Sequence, residues 1–174
     1  FNGKIFGDEE ALEILSQLLE ILSYLHKAHN NRYPVIHRDL RLSNVFWFQN
    51  KAYIVDFGMA RYLKEKVSQS ERPLKRTVLN IDRHRPGKKT YSALRAQVSP
   101  SSDLFGAGVV TLDLFANWIK DETQFKRPWQ EIFPGSSRLK SFIEHLLLPE
   151  VQFPSARDAL NSLEKIKDIK KPCD

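Results

Sequence analysis

The chain has 174 residues, of which 41% are hydrophobic, and is therefore long enough for one globular domain with its own core. Charged residues at 28% and aromatic residues at 11% are ordinary for a folded protein and exclude a wholly disordered chain. Residues 59–90 hold ten Lys or Arg and three acidic residues, so this one segment accounts for the net charge of +6, which disfavours a nucleic-acid-binding surface spread over the domain.

The first predicted element is a long amphipathic helix over residues 9–29. Its leucines recur at steps of three and four residues, which is typical of a helix with one face on the core. They are Leu12, Leu15, Leu18, Leu19, Leu22 and Leu25. Asp8 is expected to cap the N-terminus, ahead of an acidic first turn. Asn30 ends the helix, and Pro34 favours an extended backbone leading into Val35–Ile36.

Two short apolar, β-prone runs at residues 45–48 and 52–55 predict a β-hairpin. If the hairpin is symmetric about Asn50, residue 45 faces residue 55 and residue 44 faces residue 56. This pairing brings Asn44 and Asp56 together at the open end of the hairpin, opposite its turn.

Residues 59–90 show no steady periodicity and contain Pro73, Pro86 and Gly87 among many charges, which predicts a long solvent-facing loop. The rest of the chain is predicted to be helical. Helices are expected at residues 101–118, at the sequence WQEIF after Pro128, at residues 137–148 and at residues 155–169.

The longest apolar stretch, residues 104–119, contains Asp113 and is shorter than the roughly 20 residues that a membrane-spanning helix needs, so no membrane segment is expected. The first residues lack the basic start and apolar centre of a signal peptide. The single cysteine, Cys173, excludes an intrachain disulfide, and a reducing, cytoplasmic setting is expected. Because the chain opens on Phe1, we expect a fragment or a processed product.

Four side chains near the hairpin suit the transfer of a phosphoryl group. That reaction needs oxygen ligands for magnesium, a carboxylate that takes the proton of the acceptor, and positive charge near the transferred group. Asn44 and Asp56 supply two oxygen ligands at one place. Asp39 lies five residues before Asn44 in the turn that enters the hairpin, and Arg41 lies between them. All four can line one edge of a cleft.

Four sequence motifs resemble the protein kinase superfamily. HRDLRLSN at residues 37–44 matches its catalytic-loop signature H-R-D-L-x-x-x-N, and DFG at residues 56–58 matches its magnesium-binding D-F-G. SDLFGAG at residues 102–108 resembles the start of its central helix. FPSARDAL at residues 153–160 resembles the closing helix of bacterial eukaryotic-like Ser/Thr kinases. We call residues 37–44 the catalytic loop.

The resemblance implies that residues 1–174 are the C-terminal lobe (C-lobe) of such a kinase. This lobe is mainly α, a helical bundle with a small β-hairpin at the edge of the active site. Residues 59–90 would be a basic loop that resembles an activation segment. The implied reaction transfers the γ-phosphoryl group of ATP to a protein hydroxyl, of Ser or Thr, with ATP and Mg²⁺ as cofactors.

The resemblance also implies a role for each candidate residue. Asp39 would be the catalytic base, and Arg41 would steady the transferred phosphate. Asn44 and Asp56 would bind magnesium, and Phe46 would form the floor of the adenine pocket.

Four more residues have roles outside the chemical step. His37 and Phe57 would pack as internal spine residues, and Asp103 would tie the backbone of the catalytic loop to the central helix. Arg38 would receive a phosphate on the activation segment, which suits the forked donors of arginine.

The chain departs from the family pattern in several places. The glycine-rich loop, the lysine strand and the helix glutamate, which form half of the nucleotide site, are not in the sequence. Residues 93–95 (ALR) stand where the family has A-P-E, and Gln152 stands where an arginine pairs with that glutamate. Lys88 replaces a threonine beside the catalytic aspartate, and Arg41 and Leu42 replace the usual Lys-Pro.

Two other functions stay open. The chain could be a pseudokinase or an isolated lobe that acts as a binding module, or it could be a kinase of a small molecule. The basic loop has three interpretations: a solvated insert, a docking surface for an acidic partner, or an activation segment with phosphorylation sites such as Ser68, Ser70, Thr77 or Thr90. Few aromatic residues interleave its charges, so no DNA or RNA partner is expected.

Overall fold

Helices account for most of the described structure, which confirms the prediction of a mainly α fold. The computed structural model describes residues 4–30, 32–63, 98–119, 121, 123–124, 127–148 and 150–168. The helices are α1 (Asp8–Leu25), α2 (Pro100–Leu114), α3 (Trp129–Ile132), α4 (Ser137–Leu147) and α5 (Ala156–Asp168). Within these residues, no helix combines the length and the apolar character needed to cross a bilayer.

Helix α1 lays its leucine face on the core, as its periodicity predicts. The prediction that Asp8 caps this helix is wrong, because the N-cap is Gly7 and the Asp8 carboxylate instead accepts a hydrogen bond from the Ser136 backbone N–H at 3.0 Å. The helix ends at Leu25, four residues before the predicted end. The chain then reverses in a turn that is closed by backbone hydrogen bonds.

Helix α2 runs through the centre of the core. The Ser99 hydroxyl accepts a hydrogen bond from the Ser101 backbone N–H, and Pro100 occupies the first turn, where a helix needs no N–H donor. Most of the helix is buried on all sides, and it packs against both α1 and α4. Residues 116–118, which the sequence predicts as its last turn, form a separate 3₁₀ turn.

Helices α4 and α5 complete the core, with α4 against α2 and α5 against α1. Both begin at a serine whose hydroxyl oxygen accepts a hydrogen bond from a backbone N–H of the first turn; these serines are Ser136 and Ser155. The bounds of both helices agree with the predicted ranges within one residue at each end.

The described residues contain two antiparallel sheets of two strands each. They pair β1 (Val35–Ile36) with β4 (Arg61–Tyr62), and β2 (Val45–Phe48) with β3 (Lys51–Ile54). Strand β4 falls within the predicted loop, so that prediction is wrong for its two residues. Residues 64–90 of the loop, with their candidate phosphorylation sites and Lys88, lie outside the described residues, as do residues 93–95 and Cys173.

The predicted hairpin of β2 and β3 is present, but its register differs by one residue. The turn has two residues, Gln49 and Asn50, rather than three. Both have positive φ values, 48° and 57°, as in the tight hairpin turns whose twist suits antiparallel strands. Asn44 therefore faces Val55 rather than Asp56, and the Val55 N–H donates to the Asn44 carbonyl oxygen at 3.0 Å.

Helix α2 approaches the catalytic loop so closely that only glycine fits at the contact. A Cβ on Gly106 would lie 2.7 Å from the Leu40 carbonyl oxygen, whereas a Cβ on Gly108 would meet the side chain of Leu147 at 2.8 Å. We predict that Gly106→Ala lowers the free energy of unfolding by about 1–3 kcal/mol. Gly108→Ala should lower it less, because a side chain yields more readily than a backbone. Urea unfolding of both variants measures the difference, and equal losses would contradict the close approach.

The Lys167 ammonium group ties α5 to α1, with its Nζ 2.8 Å from Glu13 Oε2. Hydrogen bonds from Lys167 first, and then from Gln17, hold the pKa of Glu13 below its ordinary value. The stability from a lowered carboxyl pKa is complete above the ordinary pKa and is lost as the pH falls through the lowered pKa. We predict that Lys167→Met lowers the Tm slightly at pH 7 and that this difference vanishes under acidic conditions. Lys165→Met is the matched control, and a Tm difference that stays constant with pH would contradict the prediction.

Candidate active site

The catalytic loop is anchored to α2 by the fully buried carboxylate of Asp103. Its Oδ2 accepts a hydrogen bond from the His37 backbone N–H at 2.8 Å, and its Oδ1 accepts one from the Arg38 backbone N–H at 2.7 Å. Arg38 has a φ of 67°, a left-handed conformation that is unfavourable for a bulky residue. The two hydrogen bonds hold the backbone in this conformation and confirm the tie between loop and helix that the family resemblance implies.

The ring of His26 is a third hydrogen-bond donor to the same carboxylate, and it is not predicted from the sequence. Its Nε2 lies 2.9 Å from Asp103 Oδ2, and its ring is buried just after the last turn of α1. Its Nδ1 makes no hydrogen bond within the described residues, so the proton that is shared with the carboxylate belongs to Nε2. No spacing rule joins positions 26 and 103, and the one signal in the sequence is a histidine beside the end of the first helix.

The catalytic loop brings together three of the predicted site residues. Asp39 is buried, with 4% of its surface exposed, and its Oδ2 lies 3.5 Å from both Arg41 Nη2 and Asn44 Nδ2. Asn44 Nδ2 also donates a hydrogen bond to the Asp39 carbonyl oxygen at 2.9 Å. The Arg41 side chain is 52% exposed, so its remaining donors face solvent, where a charged group of a ligand could reach them.

Asp56 lies one residue beyond the pairing of Asn44 with Val55, at the open end of the hairpin. Its φ is 61°, and its Oδ1 accepts a hydrogen bond from the Gly58 backbone N–H at 3.3 Å. The carboxylate is exposed, in contrast to the buried Asn44. The structure therefore places both residues at one end of the hairpin, although in a register other than the predicted one.

The oxygens of Asn44 and Asp56 fit a magnesium ion that takes most of its ligands from elsewhere. The Asn44 amide nitrogen donates to the Asp39 carbonyl oxygen, which fixes the amide orientation. Its Oδ1 accepts one long hydrogen bond from the Ser43 hydroxyl, at 3.5 Å, and keeps a second lone pair for a cation. Among the described residues, no group of three His, Cys, Asp or Glu side chains is placed to hold a metal ion. Magnesium keeps several waters and commonly binds one or two protein oxygens together with phosphate oxygens, so two protein ligands suit it.

His37 connects the catalytic loop to the segment that contains Asp56. Its ring is buried and makes an edge-on contact with Phe57, with 4.8 Å between the ring centroids. The expectation that Phe57 is internal is wrong, because 44% of its surface is exposed. The Asp39 backbone N–H donates to His37 Nδ1 at 3.3 Å, so Nε2 carries the proton and donates to the Val55 carbonyl oxygen at 3.0 Å. The loop and the end of strand β3 are thereby held at a fixed distance.

Phe46 lies on the outer face of the hairpin, away from the side that packs on the core. Val45 and Ala52 are buried on the inner face, whereas Phe46, Phe48 and Tyr53 are exposed on the outer one, with 58% of Phe46 accessible. Phe46 and Tyr53 face each other across the two strands. This outer face presents aromatic surface of the kind that binds a flat ring.

Gln152 makes neutral contacts at the position where the family pattern has an arginine. Its amide nitrogen donates to the Leu146 carbonyl oxygen at 2.7 Å and to the Ser101 carbonyl oxygen at 3.2 Å. It therefore joins the end of α4 to the start of α2 without a charge.

Residues 2–161 match the family model described as the protein kinase domain. The chain belongs to the protein kinase family. It is 31% identical over 111 residues to cyclin-dependent kinase 12 of Drosophila melanogaster, which is 63% of this chain and 9% of that protein. It is 27% identical over 173 residues to probable serine/threonine-protein kinase WNK10 of Arabidopsis thaliana; this match covers 89% of this chain and 31% of that protein.

A bacterial kinase is also similar to the chain. Probable serine/threonine-protein kinase YbdM of Bacillus subtilis is 35% identical over 63 residues, which are 36% of this chain and 23% of that protein. The chain spans between 9% and 34% of the length of the curated kinases that it matches. Family membership agrees with the mainly α fold and its small β-hairpin.

We predict that Asp103→Asn lowers the free energy of unfolding by about 2–3 kcal/mol, because a neutral amide accepts fewer hydrogen bonds and turns an N–H₂ group toward existing donors. Urea unfolding measures the loss. Asp121→Asn, which makes the same chemical change at an exposed carboxylate, is the control and should change the free energy of unfolding little. Equal stability of the two variants would show that Asp103 does not anchor the loop.

Proposed function

We propose that this chain is the C-lobe, over residues 1–174, of a protein kinase that transfers the γ-phosphoryl group of ATP to a protein hydroxyl. The observation that carries the proposal is the buried Asp39 carboxylate, which lies 3.5 Å from both Arg41 and Asn44 on a loop that Asp103 anchors. A carboxylate, a cation and an amide in one rigid turn are the groups that phosphoryl transfer requires.

Asp39 would act as the catalytic base. Its carboxylate would accept the proton of the acceptor hydroxyl as the oxygen of that hydroxyl attacks the γ-phosphorus and the bond to ADP breaks. Arg41, beside it, would offset the negative charge on the transferred group. The hydrogen bond from Asn44 to the Asp39 carbonyl oxygen keeps the backbone of the base in position.

Asn44 and Asp56 would hold magnesium together with phosphate oxygens of ATP. When bound, the ion would neutralise charge on the β- and γ-phosphates. The chain contributes two oxygen ligands at the open end of the hairpin and the backbone contacts that fix them, through Val55 for Asn44 and through Gly58 for Asp56.

We further propose that a lobe encoded upstream covers ATP and rests on the outer face of the hairpin. Support comes from the aromatic residues of that face, Phe46, Phe48 and Tyr53, which are exposed on the hairpin whose open end holds Asn44 and Asp56. Phe46 would form the floor of the adenine pocket and contact one face of the adenine ring. Residues 59–90 would serve as the activation segment, and Arg38 would receive a phosphate on it.

The finer class that we propose is a bacterial eukaryotic-like Ser/Thr kinase in the cytoplasm, acting on a protein substrate. The resemblance of residues 153–160 and the identity to the Bacillus subtilis kinase support the bacterial class. Kinases of an insect and a plant match over longer stretches of the chain, so the resemblance of the closing helix carries more of this proposal than the identities do.

We predict that Asp39→Asn in the natural full-length product slows phosphoryl transfer by about 10²–10⁴-fold, because the amide cannot take a proton. Asp56→Ala should abolish transfer through loss of a magnesium ligand. Incorporation of labelled phosphate from MgATP into a general protein substrate measures both, and Asp121→Asn is the surface control.

Other results of the same assay separate the alternative functions. Undiminished transfer by Asp56→Ala would overturn the magnesium assignment. Transfer to a metabolite but not to protein would indicate a small-molecule kinase. If the full-length product shows no magnesium-dependent nucleotide binding, it acts as a binding module and the catalytic proposal fails.

A further inference from the structure

A half-open cavity of about 410 Å³ lies outside the candidate active site, and no residue of the catalytic loop lines it. Its walls come from the end of α1, the turn after it and the sheet of β1 and β4. Its volume falls in the range of about 300–1,000 Å³ that is common for ligand sites. The lining residues that matter here are Tyr24, Lys27, His29, Arg32, Tyr33 and Tyr62.

The turn that forms one wall of the cavity is held by its own contacts. The rings of Tyr24 and His29 stack with 4.4 Å between their centroids, and His29 Nε2 lies 3.0 Å from the Tyr24 carbonyl oxygen. His29 and Arg32 also exchange two backbone hydrogen bonds, at 2.7 and 3.3 Å. This wall is therefore formed before any ligand binds.

The cavity carries positive charge that the described part of the chain does not neutralise. No acidic residue occurs between Glu20 and Asp39 in the sequence. None of the ion pairs among the described residues involves Lys27 or Arg32, although both line the cavity. Two cations in a concave site without a partner acid attract an anionic group.

Three tyrosine rings surround these cations. Tyr24, Tyr33 and Tyr62 are each more than half exposed. Tyrosine and arginine are enriched at protein interfaces, because they combine apolar contact area with hydrogen-bond donors. The cavity thus has apolar surface and positive charge side by side.

We propose that this cavity docks an acidic peptide segment of a partner protein. A carboxylate or phosphate group would lie against Lys27 and Arg32, and an apolar or aromatic side chain would lie against the tyrosine rings. A peptide fits better than a small anion because Tyr62 lies two residues before the basic segment 64–90, which holds nine Lys or Arg and three acidic residues, so the positive charge continues along the sequence beyond the cavity. Docking concerns binding only and does not depend on phosphoryl transfer.

The test uses the full chain and a fluorescein-labelled nonapeptide of eight glutamates around one phenylalanine. Fluorescence polarisation should show binding that weakens at least about tenfold in the double variant Lys27→Glu/Arg32→Glu, since like charges then face each other. Arg157→Glu, an equal charge change at an exposed position on α5, should bind like the wild type. Replacing the peptide phenylalanine by alanine should also weaken binding, and Tyr24→Ala should remove that difference. Circular dichroism checks that each variant is folded.

Several outcomes would overturn the proposal. Equal affinity of the wild type and the double variant would place the peptide on the basic segment rather than in the cavity. Equal binding of a peptide with lysine in place of glutamate would exclude charge recognition, and absence of binding at millimolar peptide would exclude docking. A second peptide, with phosphotyrosine at the central position, shows which anionic group the cavity prefers. Tighter binding than that of the glutamate peptide would identify phosphate as the preferred group, and equal binding would identify carboxylate.

Discussion

Three hydrogen bonds converge on the carboxylate of Asp103, from the backbone N–H groups of His37 and Arg38 and from the ring of His26. A buried charge is tolerated only when donors surround it, and here the donors come from two parts of the chain, the catalytic loop and the residue after α1. One side chain therefore joins α1, α2 and the catalytic loop. Because Arg38 is held in an unfavourable backbone conformation, the shape of the loop depends on this anchor rather than on local preference.

The positions of the reactive groups follow from that anchor. Asp39 comes directly after the two anchored residues, and its carbonyl oxygen receives the Asn44 amide. The absence of a side chain at Gly106 lets the backbone of Leu40 pack directly on α2, which determines the distance between the loop and the helix. The placement of the candidate site residues in this chain thus depends on the packing of one central helix.

The sequence predicted the helices well because their signals are local. The leucine spacing of α1 lies within the helix that it determines, and the ranges predicted for α4 and α5 agree with the structure within one residue at each end. The motifs at residues 37–44 and 56–58 located the candidate site, because their order along the chain is itself informative. Elements whose signals lie within a few residues are predictable from the sequence, whereas contacts between distant residues are not.

The predictions fail where a residue far away in the sequence, or the type of a hairpin turn, determines the local structure. Aspartate is a favoured N-cap residue, yet the Asp8 carboxylate accepts a hydrogen bond from the backbone N–H of Ser136, which is 128 residues away. The turn at Gln49 and Asn50 lacks the glycine that usually marks a two-residue hairpin turn, so the register was off by one. His26 meets Asp103 across 77 residues, and no periodicity reports such a contact.

The hairpin has consequences for how the chain behaves in solution. Its two faces differ, with the inner one buried on α1 and the outer one displaying Phe46, Phe48 and Tyr53 to solvent. Exposed apolar patches on short sheets favour association with other chains. When nothing else covers that face, copies of the chain have an apolar surface through which to associate, and the associated fraction rises with protein concentration. The face that is proposed to lie against a nucleotide thus also governs the colloidal stability of the chain.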